Sequence, residues 1–513
     1  MPRWTEGYAT DIFAAQRFRR ELAPVWLATA CTLLGQRAPD PTRALRYADL
    51  GCGSGLTALT IAAVCPKAEV WGFDFNPAHV EAGRELADRA GLTNIRFVER
   101  AFSALAGDAL PEFDVIVADR VLSVVSPDNR RHVIEFMARH LRPGGLACLG
   151  YTAATGWTEF VPLQTAMRQQ AAASVEPADL AVPDVLAYLD RVRLAGAQYF
   201  ARNPAVGDRL ASMTGWDPID LANEFLNENW HPLMFADVAE AMAESKCDFI
   251  GRATLHENID QYAVQPGMVP LLEAASSVRM RETMQDIAAR TSYRRDIYRR
   301  GLTGLPVAEH RAALAAMTVA GLRVAGDGPV TLPSWQGPIV PDAAHYQLLL
   351  EALRAGPLSV GAASALTGGD VEAAAQAIAM LISAGAAHPV MPDAAVQDAG
   401  AGTARLNRAI VAAVAHGDEV GFLVSPLIGS AIAVSALEAL VVGALIEDRD
   451  PADLDGLTRA VLIAMRLGGR PVMRAGEPVD DDAEAIVLLR AGLAEILERR
   501  VPLFRALRIL PEV

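Results

Sequence analysis

Short apolar runs alternate with helical stretches between residues 47 and 151, and this alternation constrains the fold more than any other feature of the chain. Tyr47-Ala48-Asp49-Leu50, residues 68–73, residues 95–98 and Phe113-Asp114-Val115-Ile116-Val117-Ala118 read as strands. Residues 146–151 read as another, after the turn Pro143-Gly144-Gly145. Residues 55–64, 77–90 and 128–141 read as the helices between them. A strand followed by a helical crossover returns to its sheet in parallel orientation, whereas a tight hairpin joins antiparallel neighbours. The pattern predicts an α/β domain with a doubly wound parallel sheet.

Such a domain needs about 150 residues, and the chain has 513, so most of it lies outside the sheet. Residues 8–35 read as a helical amino-terminal segment, with Trp26, Leu27, Ala30, Leu33 and Leu34 at helical spacing. Residues 178–300 read as predominantly helical, including an arginine-rich helix over 279–300 that either guides an acidic substrate or forms a solvated, salt-bridged face. Residues 316–332 are a candidate hairpin returning to the sheet edge, and 333–342 a proline-dense linker. Three short helices and an extended tail follow over 343–392, a winged-helix-like pattern. The expected division is 1–45 as a helical lid, 46–177 as the α/β domain, 178–332 as a helical middle domain, 343–400 as the winged-helix-like unit and 401–513 as a mainly helical end.

Charge and composition narrow the partners. Forty-six basic against 61 acidic residues leave a net charge of −15, and residues 343–392 hold one arginine, Arg354, and no lysine. Both argue against nucleic acid as a partner, since phosphate contacts need cations. Cys31, Cys52, Cys65, Cys148 and Cys247 form no CxxC pair, so neither a zinc site nor a disulfide framework is expected, and a reducing cytoplasm fits. The beginning, MPRWTEGYATDIFAAQRFRR, lacks the apolar stretch of a signal peptide. The apolar run 421–446 is long enough for a membrane span, but Pro426 and Gly429 break it, and Ser435 with Glu438 forms a capping box. It reads as an extended segment followed by a buried helix, so no membrane span is expected.

The chemistry concentrates on the first strand-to-helix turn, Asp49-Leu50-Gly51-Cys52-Gly53-Ser54-Gly55. Glycines there let backbone approach a ligand at the carboxyl ends of the strands, where such sheets bind nucleotides. The spacing is GxGxG, and Asp49 suits a cationic ligand better than a pyrophosphate, which it would repel. The second strand ends Gly72-Phe73-Asp74-Phe75-Asn76-Pro77, which places Asp74 where a carboxylate accepts hydrogen bonds from ribose hydroxyls.

Together, DLGCGSG, GFDFNP, FVERAF, FDVIVAD and LRPGG resemble the class I S-adenosylmethionine-dependent methyltransferases, whose fold is Rossmann-like. A narrower resemblance lies in DFNPAHV, FDVIVADRVLSVVSPDNRR, YTAATGW, ANEFLNENWHPLMFADVAEAM and DIAARTSYRRDIYRR. These are similar to methyltransferases with a methyltransferase regulatory domain, a group that includes the rickettsial-type protein lysine methyltransferases. The resemblance implies S-adenosyl-L-methionine as cofactor, met by Asp49, Gly51, Cys52, Gly53, Gly55, Asp74, Phe75, Asn76, Ala101, Phe102 and Asp119. Ala101-Phe102 stands where many relatives have an acid for the adenine amine, so adenine would depend on backbone and ring packing. Asp119-Arg120, Val124 and Tyr151-Thr152 also depart from the acceptor-side motifs of relatives.

For catalysis the expected residues are Asp119 at the end of the fourth strand, Tyr151 at the end of the fifth, and Trp157 just beyond. Each has an alternative: an ion pair of Asp119 with Arg120 or Arg142, packing of Tyr151, and anchoring of the next helix by Trp157. Trp4, Tyr8 and Phe13 form either a lid over the cofactor or a plain amphipathic face. A protein lysine is the leading acceptor by resemblance. A small molecule is the alternative, as is a non-catalytic protein that binds the nucleoside for regulation or scaffolding, and a homodimer is a candidate assembly.

Overall fold

A computed structural model describes the chain except residues 1–2, 11, 13–16, 106, 302–303, 325, 342–343, 475–476, 480 and 512–513. Seven strands form the main sheet: β1 (Arg46–Leu50), β2 (Glu69–Asp74), β3 (Ile95–Glu99), β4 (Phe113–Asp119), β5 (Leu141–Thr152), β6 (Cys247–Arg252) and β7 (Tyr293–Arg300). Their order is β3-β2-β1-β4-β5-β7-β6. β1 to β5 are parallel, and β7 runs antiparallel to both β5 and β6. The first five strands and the helices Leu56–Val64, Pro77–Arg89 and Pro127–His140 follow the expected alternation. The chain order reverses between β1 and β4, which opens a crevice at their carboxyl ends.

The last two strands correct the sequence reading. Residues 178–300 are predominantly helical but also supply β6 and β7, and the antiparallel pair at the sheet edge is β6–β7, not 316–332. The arginine-rich helix ends at Ala289, and its remainder, Tyr-Arg-Arg-Asp-Ile-Tyr-Arg-Arg, is β7. Arg294 is fully buried, bonded to Glu282, Asp286 and Asp296, with its guanidinium 4.2 Å from the Phe235 ring centroid. Arg252 joins the same acids. Charge that reads as a solvated face is thus neutralised inside, as burial of a cation requires. Residues Thr318–Gly321 (β8) instead pair with β9 (Leu358–Ser359) and β10 (Ala387–Pro389) in a separate sheet. That sheet packs with the helices Ala344–Ala355, Val360–Leu366 and Val371–Ser383.

The helix Leu56–Val64 explains how the carboxyl-terminal region attaches. All nine of its residues are buried, as a helix with no polar face requires. One side lies on the sheet. On the other lies the helix Asp393–Ala415, where Arg405 donates to the Ala90 carbonyl and Lys67 pairs with Asp398 at 2.6 Å. The apolar run near residue 430 is a hairpin, β11 (Phe422–Ser425) and β12 (Ser430–Ala433), followed by the helix Ala436–Ile446 with the Ser435–Glu438 capping box. Among the described residues no helix is long and apolar enough to cross a membrane.

The amino-terminal segment also differs from expectation. Its α-helix spans only Pro24–Leu33, with proline at the first position where its missing N–H costs nothing. Among the described residues before it, Ala9 N–H donates to Asn227 Oδ1, Arg19 N–H donates to Thr57 Oγ1, and Tyr8, Arg17 and Arg19 line the crevice. Phe13 of the expected lid lies outside the described residues.

Candidate active site

The crevice beyond β1 and β4 opens as a cleft enclosing about 1340 Å³ of space, its open mouth included. Gly51, Cys52 and Gly53 form its floor. Gly51 sits in the left-handed region at φ 71°, and a Cβ there would lie 2.6 Å from Val121 Cγ2, so both its conformation and its space require glycine. The Gly51 and Cys52 N–H groups donate to the Phe73 carbonyl and fold the loop against β2. Asp74 completes that fold: one oxygen accepts from Gly53 N–H at 2.9 Å and the other from Asn76 N–H at 2.9 Å.

Three carboxylates at strand ends, Asp49, Asp74 and Asp119, line the cleft. Asp49 is buried, and among the described residues no donor meets its carboxylate. Burial, with Asp119 and Asp74 adding like charge, pushes its carboxyl up to about 8. Asp119 goes the other way. Burial alone would raise it, but Arg295 and Arg19 and the hydrogen bonds from Arg295 and Tyr293 hold it below the usual carboxylate range. An uncompensated buried acid beside a glycine cradle calls for a cationic ligand, and S-adenosylmethionine, with its ammonium and sulfonium, fits that donor set. Asp49 would meet the cation and Asp74 the ribose, while Phe75, Ala101 and Phe102 line the adenosine end. The Trp4 and Tyr8 rings pack on Phe75 at centroid distances of 5.9 and 5.8 Å, from a short turn and extended chain, and Tyr8 lines the cleft.

Not every expected residue lies there. Gly55 and Asn76 are one step removed: Gly55 begins the helix Leu56–Val64 against Phe97, and Asn76 caps the helix Pro77–Arg89 by accepting from Ala78 N–H. Tyr151 does not face the cleft. Strand alternation turns it to the opposite face of β5, where its buried hydroxyl donates to Asp296 Oδ2 at 2.5 Å. Trp157 is also away from the cleft, packed among Phe160, Phe225 and Trp230 beneath the Arg209 guanidinium, which is the anchoring alternative. Asp119 does line the cleft, but pairs with neither Arg120 nor Arg142. Arg295 Nε and the Tyr293 hydroxyl donate to its Oδ1 at 3.0 and 2.9 Å, and Arg19 Nε lies 3.8 Å from its Oδ2. Arg142 instead pairs with Asp114.

The acceptor end carries residues that sequence reasoning did not assign. Arg120, at φ 60°, points its guanidinium to Glu224 (3.1 Å) and Asp220 (3.7 Å) on the helix Pro218–Phe225. Glu224 also accepts from Thr152 Oγ1 and Trp230 Nε1. Arg17 pairs with Asp217 and Asp220. The available signal was the run PIDLANEF, in which Asp220 and Glu224 interrupt a largely apolar helix.

Fold, glycine cradle and carboxylate set define a class I S-adenosylmethionine-dependent methyltransferase. Residues 48–145 match the family described as a methyltransferase domain, and 218–300 that described as a predicted methyltransferase regulatory domain. The second match contains Asp220, Glu224, Tyr293 and Arg295. Over its whole length the chain is similar to an uncharacterized protein of Synechocystis sp., 28% identical over 515 residues that cover 99% of each. It shares its fold with PKMT2 from Rickettsia typhi in complex with AdoHcy, at a TM-score of 0.70 and 16% identity, covering 96% of this chain and 98% of that one. A ubiquinone biosynthesis O-methyltransferase from Methylocella silvestris is 35% identical over 109 residues, covering 21% of this chain and 40% of that enzyme.

Proposed function

We propose that this methyltransferase acts on a protein acceptor, at a lysine amine. The observation that carries the reading is a second groove beside the cleft. It shares Arg17 and Arg19 with the cleft and is lined by Asp217 and Ile219, by Leu322 and His388, and by Phe422, Ala431 and Ala433 of the β11–β12 hairpin. Such a path, formed jointly by the amino-terminal, regulatory and carboxyl-terminal regions, suits an extended polypeptide that delivers one side chain to the cofactor. The resemblance to rickettsial-type enzymes and the fold shared with PKMT2 support it.

The cofactor supplies an activated methyl group on a sulfonium. The chain has to align the acceptor and exclude water. Asp119, ionised and at the cleft wall, would accept hydrogen bonds from an incoming ammonium, while burial lowers that group's pKa and eases its deprotonation. Arg17, Arg19 and Arg120, each held by acids, would shape the entrance. The five unpaired cysteines support a reducing, cytoplasmic setting.

Incubation with methyl-tritiated S-adenosylmethionine and lysate of a strain lacking the gene tests the reading. Label is expected on polypeptide, at lysine after digestion. Label confined to the small-molecule fraction would overturn the protein acceptor in favour of a small one.

A further inference from the structure

We propose that Tyr293 and Arg295 are positioning residues: β7, supplied by the regulatory segment, clamps Asp119 so that one edge of its carboxylate faces the acceptor end of the cleft. This rests on the reading of Asp119 as the acceptor contact.

The clamp is built from several independent features. Oδ1 of Asp119 is occupied twice, by the Tyr293 hydroxyl and by Arg295 Nε. Among the described residues Oδ2 meets only Arg19, at 3.8 Å, and is the edge left for a ligand. The Tyr293 hydroxyl also accepts from Arg120 N–H at 3.1 Å, so one phenol fixes the backbone of Arg120 and the side chain of Asp119. β5 makes room through Gly150, where any Cβ would collide with Asp119 Oδ1 and the Tyr293 hydroxyl. The neighbouring Arg120 is held by Glu224 and Asp220, so two consecutive residues at the end of β4 are gripped by two elements of the regulatory segment.

The charged and titratable groups facing Asp119 are Asp49 and Tyr47 from β1, Arg120 beside it, Cys148 from β5, Tyr293 and Arg295 from β7, and Arg19 from the amino-terminal segment. With β7's two donors removed, burial and Asp49 would favour the protonated carboxyl.

Two measurements on the full chain test this. In the tritium-transfer assay, Tyr293→Phe should lower the rate at saturating cofactor by about tenfold while changing S-adenosylhomocysteine affinity by less than about threefold. In an Asp119→Asn background it should add nothing, because it acts through Asp119. Arg295→Gln should behave alike, with partial rescue by Arg295→Lys. An unchanged rate in Tyr293→Phe, or a loss that multiplies onto that of Asp119→Asn, overturns the clamp. A wild-type rate in Asp119→Asn itself overturns instead the reading of Asp119. Calorimetry in buffers of different ionisation enthalpy requires no acceptor. Tyr293→Phe/Arg295→Gln should release more protons than wild type on binding S-adenosylmethionine, and adding Asp119→Asn should abolish the excess. An equal proton count in wild type and variant refutes the clamp, and Tyr293→Phe alone serves should the double variant not fold.

Discussion

Asp49 makes cofactor affinity depend on pH in a direction that can be worked out. Its carboxyl is pushed up to about 8 by burial and by Asp119 and Asp74, so the ligand-free protein carries it mostly protonated at neutral pH. An ammonium against it lowers that value, so binding expels a proton, and affinity rises with pH below about 8 and levels off above it. From about pH 6 to about pH 7 the ionised fraction of such a group grows about ninefold, equivalent to about 1.3 kcal/mol of binding free energy. Titration calorimetry with S-adenosylhomocysteine should show that gain, with about one proton released per site near the lower pH. Asp49→Asn, which cannot ionise, should bind more weakly and show a flat profile. An affinity that is constant across this interval in the wild type, or an equal slope in Asp49→Asn, would refute the reasoning.

Asp74→Ala removes both the carboxylate proposed to hold the ribose and the tie between Gly53 and Asn76, so thermal stabilisation by S-adenosylmethionine should vanish; a shift equal to wild type in differential scanning fluorimetry contradicts the role. Trp157→Ala should cost about 3–5 kcal/mol in denaturant unfolding, since the ring is buried among Phe160, Phe225 and Trp230, yet the folded fraction should bind cofactor normally. Arg294→Met leaves Asp296 buried without its cation and Glu282 and Asp286 with Arg252 alone, and should destabilise by about 3–5 kcal/mol at neutral pH.

The parts of the fold legible in the sequence are those where pattern and burial agree. β1 to β5 carry near-continuous apolar runs because both faces of a parallel sheet are covered. Asp49, Gly51 and Asp74 could be picked out because a short polar or glycine residue at a strand end has no packing reason to be there. β7 was illegible for the opposite reason. Tyr-Arg-Arg-Asp-Ile-Tyr-Arg-Arg looks solvated until the acids of the preceding helix Val278–Ala289 fold back onto Arg294 and Asp119 of β4, 176 residues before Arg295, is brought against it. Tyr151 was misplaced although the period-two rule was available: Gly150 pairs with Asp119 across the sheet, so its neighbour has to point to the other face.

The clamp on Asp119 has a cost in assembly time. Tyr293 and Arg295 follow Asp119 by 174 and 176 residues, so at about 5–20 residues per second a ribosome needs about 9–35 s to supply them. Until then β5 ends the sheet as an unpaired edge, the kind of surface on which nascent chains aggregate. The helices between β5 and β6 emerge during that interval, so a newly made domain has the glycine cradle before it has a fully held Asp119.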